Sequence, residues 1–278
     1  GVKLLHRTTR SLSLTEVGAA VHADCLLMLH SAEQAVSRAT AHRQQPQGIL
    51  RINAPLVFGD WWLAPLLPGF CARFPEVQVQ LSMSDTMADL TAEGLDLAIR
   101  ITAVDALPPA MVARPLRRVG YVLVAHPAYL QSRLPITQPQ DLLAHPCMSL
   151  GYGPFQNLVE LVPADMPTAA PTKLRLNTPI TIASSQGLLH ALLYNAVAGI
   201  ALMADFVASS HLANGSLLQV LPGWQLAGSY APRMAYAIHA PGPLIPPKLR
   251  AMLDYLQSQT AIQAMPGTPD PQQHGLSQ

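Results

Sequence analysis

The sequence predicts an α/β protein that carries a long helix ahead of its globular part. Three observations lead there. After Thr15 no proline occurs until Pro46, and apolar residues recur at helical spacing along that run. Past a breaker-rich joint, short apolar runs alternate with amphipathic ones, as they do where helices layer on a sheet. Half of the 278 residues are hydrophobic and 12% are charged, with net charge +1, which supplies a sizeable core and rules out intrinsic disorder for most of the length.

Residues 1–13 (GVKLLHRTTRSLS) are polar and basic, with Lys3, Arg7 and Arg10 unopposed by any acid, and read as a surface arm. Thr15 is placed to cap a helix and Glu16 sits in its first turn, where a carboxylate favours the helix dipole. Along residues 14–46, Val17, Val21, Cys25, Met28, Ala32, Ala35 and Ala39 are separated by 4, 4, 3, 4, 3 and 4, close to the period of a coiled-coil seam. A rod of about thirty residues would span roughly 45 Å and needs a partner for its stripe, so it is read as a dimerisation helix. Packing on its own domain is the alternative, and small Ala residues suit either. Gln44 to Gly48 (QQPQG) form a polar joint, and the globular part begins near Ile49.

Ile49 to Asn53 reads as a strand, Asp60 to Phe74 as a helix, and Val77 to Met83, where Val, Leu and Met alternate with Gln and Ser, as a second strand. Leu95 to Ile101 adds another, giving a βαβαβ pattern. Met111 to Leu116 and Val119 to Ala125 are extended, and the proline-containing stretch 126–146 reads as a crossover region with short helices. A second α/β set follows, with strands at Met148 to Gly151, Lys173 to Leu176 and Ile200 to Met203, and helices at Ser185 to Val197 and Asp205 to Leu212. Asn214-Gly215 signals a turn. Leu217 to Leu221 and Met234 to His239 are strands, and Pro246 to Gln257 is a closing helix with Leu249, Met252, Leu253 and Leu256 on one face. Residues 259–278, rich in Pro, Gly and Gln, are expected to form a disordered tail.

Several chemistries lack their parts. No GxSxG, HExxH, CxxC, GxxxxGK[ST] or GxGxxG occurs, which sets aside hydrolase, zinc, P-loop and dinucleotide readings. His22 and His30 are eight apart and no histidine pair has metal spacing, so no metal is expected. The three cysteines, Cys25, Cys71 and Cys147, are scattered, which suits a reducing cytoplasm. No apolar run approaches the roughly 20 residues that span a bilayer, so no membrane partner is expected. Seventeen Lys and Arg against sixteen Asp and Glu give no global basic field, so any contact with nucleic acid must be local. Trp61 and Trp62 are expected to pack the first helix of the globular part. Asn214-Gly215-Ser216 matches a glycosylation sequon, without meaning in the cytoplasm.

Three stretches together resemble one family. Leu4 to Gly18 (LLHRTTRSLSLTEVG) is similar to the wing and the start of the linker helix of LysR-type transcriptional regulators. Gly48 to Gly59 (GILRINAPLVFG) with Leu63 to Pro68 (LAPLLP) resembles the first strand and helix of their effector-binding domain, and Asp89 to Ile101 (DLTAEGLDLAIRI) resembles their third strand region. The resemblance runs over about residues 1–258. It implies a remnant of a winged helix-turn-helix at 1–13, a linker helix at 14–46 and, at 48–258, a bilobal domain like a periplasmic binding protein. The first subdomain would be about Ile49 to Gly120 with the final helix, and the second about Tyr121 to Pro222. The chain begins at Gly1 with no Met and no secretory leader, so a fragment or truncated reading frame is expected, with the DNA-reading helix ahead of Gly1 and no specific operator binding by this chain alone.

The resemblance also implies partners. DNA would be met through the wing, with Lys3, Arg7, Thr8, Thr9 and Arg10 on phosphates. Val17, Val21, Cys25, Met28, Ala32 and Ala35 would form the seam of a homodimer or homotetramer, and RNA polymerase would be a further partner. A small-molecule effector would lie in the cleft between subdomains, where loops beyond the carboxyl ends of strands collect ligands. Those loops nominate Pro55, Leu56, Val57, Phe58, Asp85, Arg100, Gly151, Tyr152, Ser184, Ser185, Gln186 and Met203. Arg100 or the helix start at Ser184 to Gln186 would receive a carboxylate; a structural ion pair of Arg100 with Asp85 or Asp96 is the alternative. Apolar Leu56, Val57 and Phe58 point toward an organic or aromatic acid. A redox switch of Cys71 with Cys147, as in peroxide-sensing members, is the less favoured reading, because a free cysteine more often packs as a small hydrophobe. No catalysis and no cofactor are implied; signalling would be allosteric. The rivals are a stand-alone ligand-binding protein or a small-ligand enzyme of the same fold, and a truncated regulator that still dimerises.

Overall fold

The computed structural model describes residues 2–7, 12–40, 45–85, 90, 93–155, 157–242 and 244–262. The basic arm is a hairpin: β1 (Leu5–Arg7) and β2 (Leu12–Leu14) run antiparallel with Leu5 opposite Leu14. Its tip, with Thr8, Thr9 and Arg10, lies outside the described residues. Thr15 joins hairpin to helix. Its N–H donates to Leu4 O at 3.0 Å, and its hydroxyl donates to Lys3 O at 2.8 Å and accepts the Gly18 N–H at 2.9 Å, capping α1 (Glu16–Thr40). Gly18 is required here, because a Cβ would sit 1.9 Å from Leu4 O.

Along α1 the expected seam faces solvent. Val17, Val21, Cys25, Met28 and Ala32 are exposed, Met28 at 70%, and so is Leu29. The side chain of Ala35 lies outside the described residues.

The first lobe opens with β3 (Gly48–Ala54) and a segmented helix: α2 (Leu56–Phe58), a π turn at Gly59–Leu63, a 3-10 turn at Ala64–Leu66 and α3 (Leu67–Arg73). The helix starts at Leu56, earlier than Asp60, because Pro55 takes the N-cap position with extended geometry (φ −58°, ψ 141°). Pro65 has no N–H for the ladder, and the backbone changes winding there. β4 (Val77–Met83), β5 (Leu97–Thr102) and β6 (Val112–Val119) complete the forward part. The chain then crosses at Gly120 into the second lobe.

That lobe contains β7 (Tyr121–Ala125), α4 (Pro127–Gln131), β8 (Cys147–Leu150), β9 (Leu158–Pro163), β10 (Thr172–Arg175), β11 (Ile180–Ile182), α5 (Ser185–Tyr194), β12 (Ile200–Ala204), α6 (Asp205–Ala213), β13 (Leu218–Gln219) and β14 (Trp224–Ala227). The chain returns through a turn at Gly228–Tyr230 to β15 (Arg233–His239) and α7 (Pro247–Ile262). The two main sheets have strand orders β4-β3-β5-β15-β6 and β11-β8-β12-β7-β13, and β10-β9-β14 form a third. β3 is parallel to β4 and β5, while β15 is antiparallel to β5 and β6.

Several boundaries differ from expectation. Val119 ends β6 instead of opening the next strand, and residues 126–146 stay inside the second lobe, joining β7 to β8, instead of forming a crossover region. α5 stops at Tyr194. α7 runs on to Ile262, so residues 259–262 are helical, and 263–278 lie outside the described residues. β9, β11 and β14 were not foreseen.

All five residues of β12 are buried, as expected of a strand covered on both faces. On α7 the face Leu249, Met252, Leu253 and Leu256 is buried as its spacing requires. Beside it Lys248 enters the first lobe, with Nζ 2.9 Å from Asp96 Oδ2 and also bonded to Ile49 O. Asp96 Oδ2 accepts the Arg51 N–H as well, at 2.9 Å.

Candidate effector site

On the first lobe, the loops at the carboxyl ends of the parallel strands converge. Pro55 leaves β3, and its carbonyl accepts the Gly59 N–H at 2.7 Å. The next N–H, that of exposed Leu56, donates to Asp85 Oδ1 at 3.1 Å, which ties the loop after β4 to the start of α2. Arg100, near the end of β5, is half-buried: Nη1 donates to Ile99 O at 2.6 Å, and Nη2 is buried with no hydrogen-bond partner among the described residues. Burial lowers the Arg100 pKa, and the negative charges of Glu93 and Asp85 oppose that shift. Asp96 is held by Lys248 and Arg51 instead, so it is not the partner of Arg100.

On the second lobe, exposed Gly151 and Tyr152 leave β8. The Tyr152 ring lies edge-on to Phe155 at 5.1 Å, and Phe155 meets Tyr121 at 5.1 Å and Tyr230 at 5.0 Å. The Arg233 guanidinium stands 5.0 Å from the Phe155 centroid, and its Nη2 donates to Ser229 O at 3.1 Å. Burial raises the Tyr152 hydroxyl, Asp85 raises it further and Arg233 pulls it down. The charge of Asp85 is thus felt both by Arg100 on its own lobe and by Tyr152 on the other. Burial likewise raises Tyr121, and pushes Tyr230 up to about 12.

The other nominated residues have local duties. Ser184 caps α5 by accepting the Gly187 N–H at 3.3 Å, and buried Ser185 accepts the Ala204 N–H at 3.1 Å, so both hydroxyls serve the fold. Gln186 is half-buried, and half-buried Val57 packs against the core. Two residues are corrected. Phe58 is sealed at 1% exposure between Trp62 (4.9 Å) and Phe206 (5.5 Å) instead of walling a cleft, and Met203 is 0% exposed within β12. Lys3 is exposed. Cys71 and Cys147 sit on different lobes, and burial pushes the Cys147 thiol up to about 12, away from reactivity. Among the described residues, no group of three His, Cys, Asp or Glu is placed to hold a metal, and no helix is long and apolar enough to cross a membrane.

Sequence reasoning passed over Phe155, Tyr230 and Arg233, placed Gly120 and Tyr121 only as the boundary between subdomains, and did not foresee that Gly120 pairs with Asp205. The available signal was their place in the chain: Tyr121, Tyr230 and Arg233 flank the two lobe crossings, and Asp205 opens a helix directly after a strand.

Two lobes crossed twice, with loops facing each other at strand ends, are the architecture of a ligand-sensing domain. The model of the LysR substrate binding domain family matches residues 43–261. The chain belongs to the LysR-type regulators. Among its relatives, the probable HTH-type transcriptional regulator LtrA of Klebsiella pneumoniae is 34% identical over 98% of this chain and 84% of its own length. The solved full-length AphB of Vibrio cholerae, a virulence activator, matches with TM-score 0.67 and 25% identity over 93% of this chain and 84% of that one. CrgA of Neisseria meningitidis, a LysR-type transcriptional regulator, gives 0.65 and 26% over the same shares. This LysR-type protein is thus a transcriptional regulator and not an enzyme, with an effector-binding domain built on the fold described above.

Proposed function

We propose that this LysR-type regulator senses a small carboxylate in the cleft between its lobes and passes the signal through α1 to the β1–β2 hairpin. The observation that carries the reading is Arg100: a guanidinium whose Nη2 is buried with no partner among the described residues, at the carboxyl end of a parallel strand, is a donor waiting for an acceptor. Tyr152 across the cleft supplies the contact that makes lobe closure depend on the ligand, since only a ligand with different affinity for the two states shifts them. The exposed stripe of α1 serves self-association as a dimer or tetramer, and the basic hairpin serves DNA phosphates, with RNA polymerase as a further partner and the cytoplasm as the place of action.

The test is thermal denaturation of the whole chain against a panel of organic and aromatic carboxylic acids. A binding acid at about 100 times its Kd adds about 2.7 kcal/mol and raises the melting temperature accordingly. Arg100→Gln should abolish that rise while leaving the unliganded melting point close to wild type. A shift that survives Arg100→Gln would remove the cleft assignment. Ser185→Ala is not a suitable probe, because it strips the Ala204 N–H of its acceptor.

A further inference from the structure

We propose that the compound taken by this cleft carries an ammonium as well as a carboxylate, as a free amino acid does, with its carboxylate on Arg100 and its ammonium on Asp85. The proposal rests on the cleft being the effector site and concerns what enters it. Arg100 lies on β5 beside the end of β3, where Asn53 stands opposite Ala98 and Asp85 binds the next loop, and it feels the charges of Glu93 and Asp85. Asp85 also occupies the N–H of Leu56 at the start of α2, a donor that an incoming anion would otherwise use. A plain acid reaching Arg100 would therefore stand beside a like charge, which Coulomb repulsion penalises in a partly desolvated site.

A zwitterion meets no such penalty. Asp85 is exposed and its Oδ1 carries the Leu56 N–H, whereas a carboxylate offers about four acceptor positions. Asp85 and Arg100 act on each other electrostatically, yet no ion pair joins them among the described residues, so a ligand bearing both charges can bridge them. The ligand's side chain would lie between exposed Leu56 on one lobe and the exposed Tyr152 ring on the other, and the ring face is favourable to a nearby ammonium. Both charges would thus be read on the first lobe and the side chain on the second, which couples recognition to closure.

The experiment is calorimetric titration of the whole chain with free amino acids of apolar, aromatic and polar type, each beside its des-amino acid and its decarboxylated amine; phenylalanine, 3-phenylpropionate and phenethylamine form one such set. One amino acid should bind at least about tenfold more tightly than either analogue. Asp85→Asn should weaken it about tenfold without weakening the des-amino acid, and Arg100→Gln should weaken both carboxylates. Circular dichroism and the melting point confirm folding, and Asp85→Ser provides a second variant. A des-amino acid that binds as well as its amino acid, still sensitive to Arg100→Gln, overturns the zwitterion and leaves the cleft reading standing. No binding by any compound, or binding indifferent to both substitutions, overturns both.

Discussion

Gly120 and Asp205, 85 residues apart, exchange two hydrogen bonds: the Gly120 N–H donates to Asp205 Oδ2 at 2.9 Å, and the Asp205 N–H donates to Gly120 O at 2.9 Å. Gly120 is the residue at which the chain leaves the first lobe, and Asp205 opens α6 of the second. Asp205 Oδ1 also accepts its neighbour Phe206's N–H at 2.6 Å, and the Phe206 ring meets Phe58 of the first lobe. Arg117, three residues before the crossing on β6, lies 5.9 Å from the same ring centroid. The lobes are thus pinned at their crossing by one carboxylate and one aromatic pair, and a ligand that closes the cleft must work about this point.

Asp205→Ala should cost about 1–3 kcal/mol, because it leaves the Gly120 N–H without its acceptor. Gly120→Ala should fail similarly, since its Cβ would meet Asp205 Oδ2 at 2.8 Å. Burial raises the Asp205 pKa above its ordinary 3.8. The folded state therefore holds that proton more tightly than the unfolded chain does, so this group's contribution is most favourable below 3.8 and declines as pH climbs through the raised value. Asp205→Asn removes that dependence, so urea unfolding over a pH series should show its deficit relative to wild type shrinking as pH rises through that window. A deficit constant with pH would contradict the burial argument.

Lys248 and Asp96 tie the last helix to the first sheet, with side chains 9% and 2% exposed. Lys248→Met should cost about 3–5 kcal/mol, because it removes the cation paired with a buried carboxylate, which keeps the Arg51 N–H. Lys248→Met combined with Asp96→Leu should lose clearly less than the two single changes summed, since the uncompensated charge disappears with its partner. Equilibrium unfolding of the four proteins gives the coupling, and additive losses would show that the pair contributes nothing jointly.

The exposed stripe of α1 leads to a different measurement. Val21→Asp with Met28→Asp should convert a self-associating protein to a monomer in sedimentation velocity, leaving the unfolding transition of the effector domain in place. Both side chains are solvent-exposed in the single chain, Met28 at 70% and Val21 at 39%, so their replacement leaves the buried core untouched. An unchanged sedimentation coefficient would assign the stripe to another role.

How much of this was legible in the sequence depends on the range of the interaction concerned. The α1 cap is local: Thr15, Glu16 and Gly18 contain their own instruction, and the helix starts where they say. Asp85 and Tyr152 lie on the loops that the sequence placed after strands, and Arg100 lies near the end of β5, because a strand's end shows in its pattern. Phe58 and Met203 were not separable from them. A strand buried on both faces, such as Ile200–Ala204, has no alternation to tell a cleft-facing side chain from a core one. β14 was invisible for another reason: Trp224 pairs with Pro163, and a short strand is stabilised by a partner that no local window contains. The Gly120–Asp205 exchange is of that kind as well, and without it the hinge could be placed only by the end of an apolar run.

A buried polar pair in the second lobe gives the last prediction. The Tyr129 hydroxyl lies 2.7 Å from His145 Nδ1, and both residues are buried. Burial, with Arg133 nearby, lowers the His145 pKa from 6.5, so the folded state favours the neutral imidazole, whose Nδ1 can accept the hydroxyl proton. The sign follows: this contribution is complete above 6.5 and is lost as pH falls through 6.5 toward the lower folded value, because the unfolded chain takes up the proton first. Wild type should therefore lose more stability than His145→Asn between about pH 7.5 and about pH 5.5. Tyr129→Phe should cost about 1–3 kcal/mol at neutral pH by orphaning Nδ1. Urea unfolding at the two pH values decides it, and parallel losses in wild type and His145→Asn would place the acid sensitivity elsewhere in the chain.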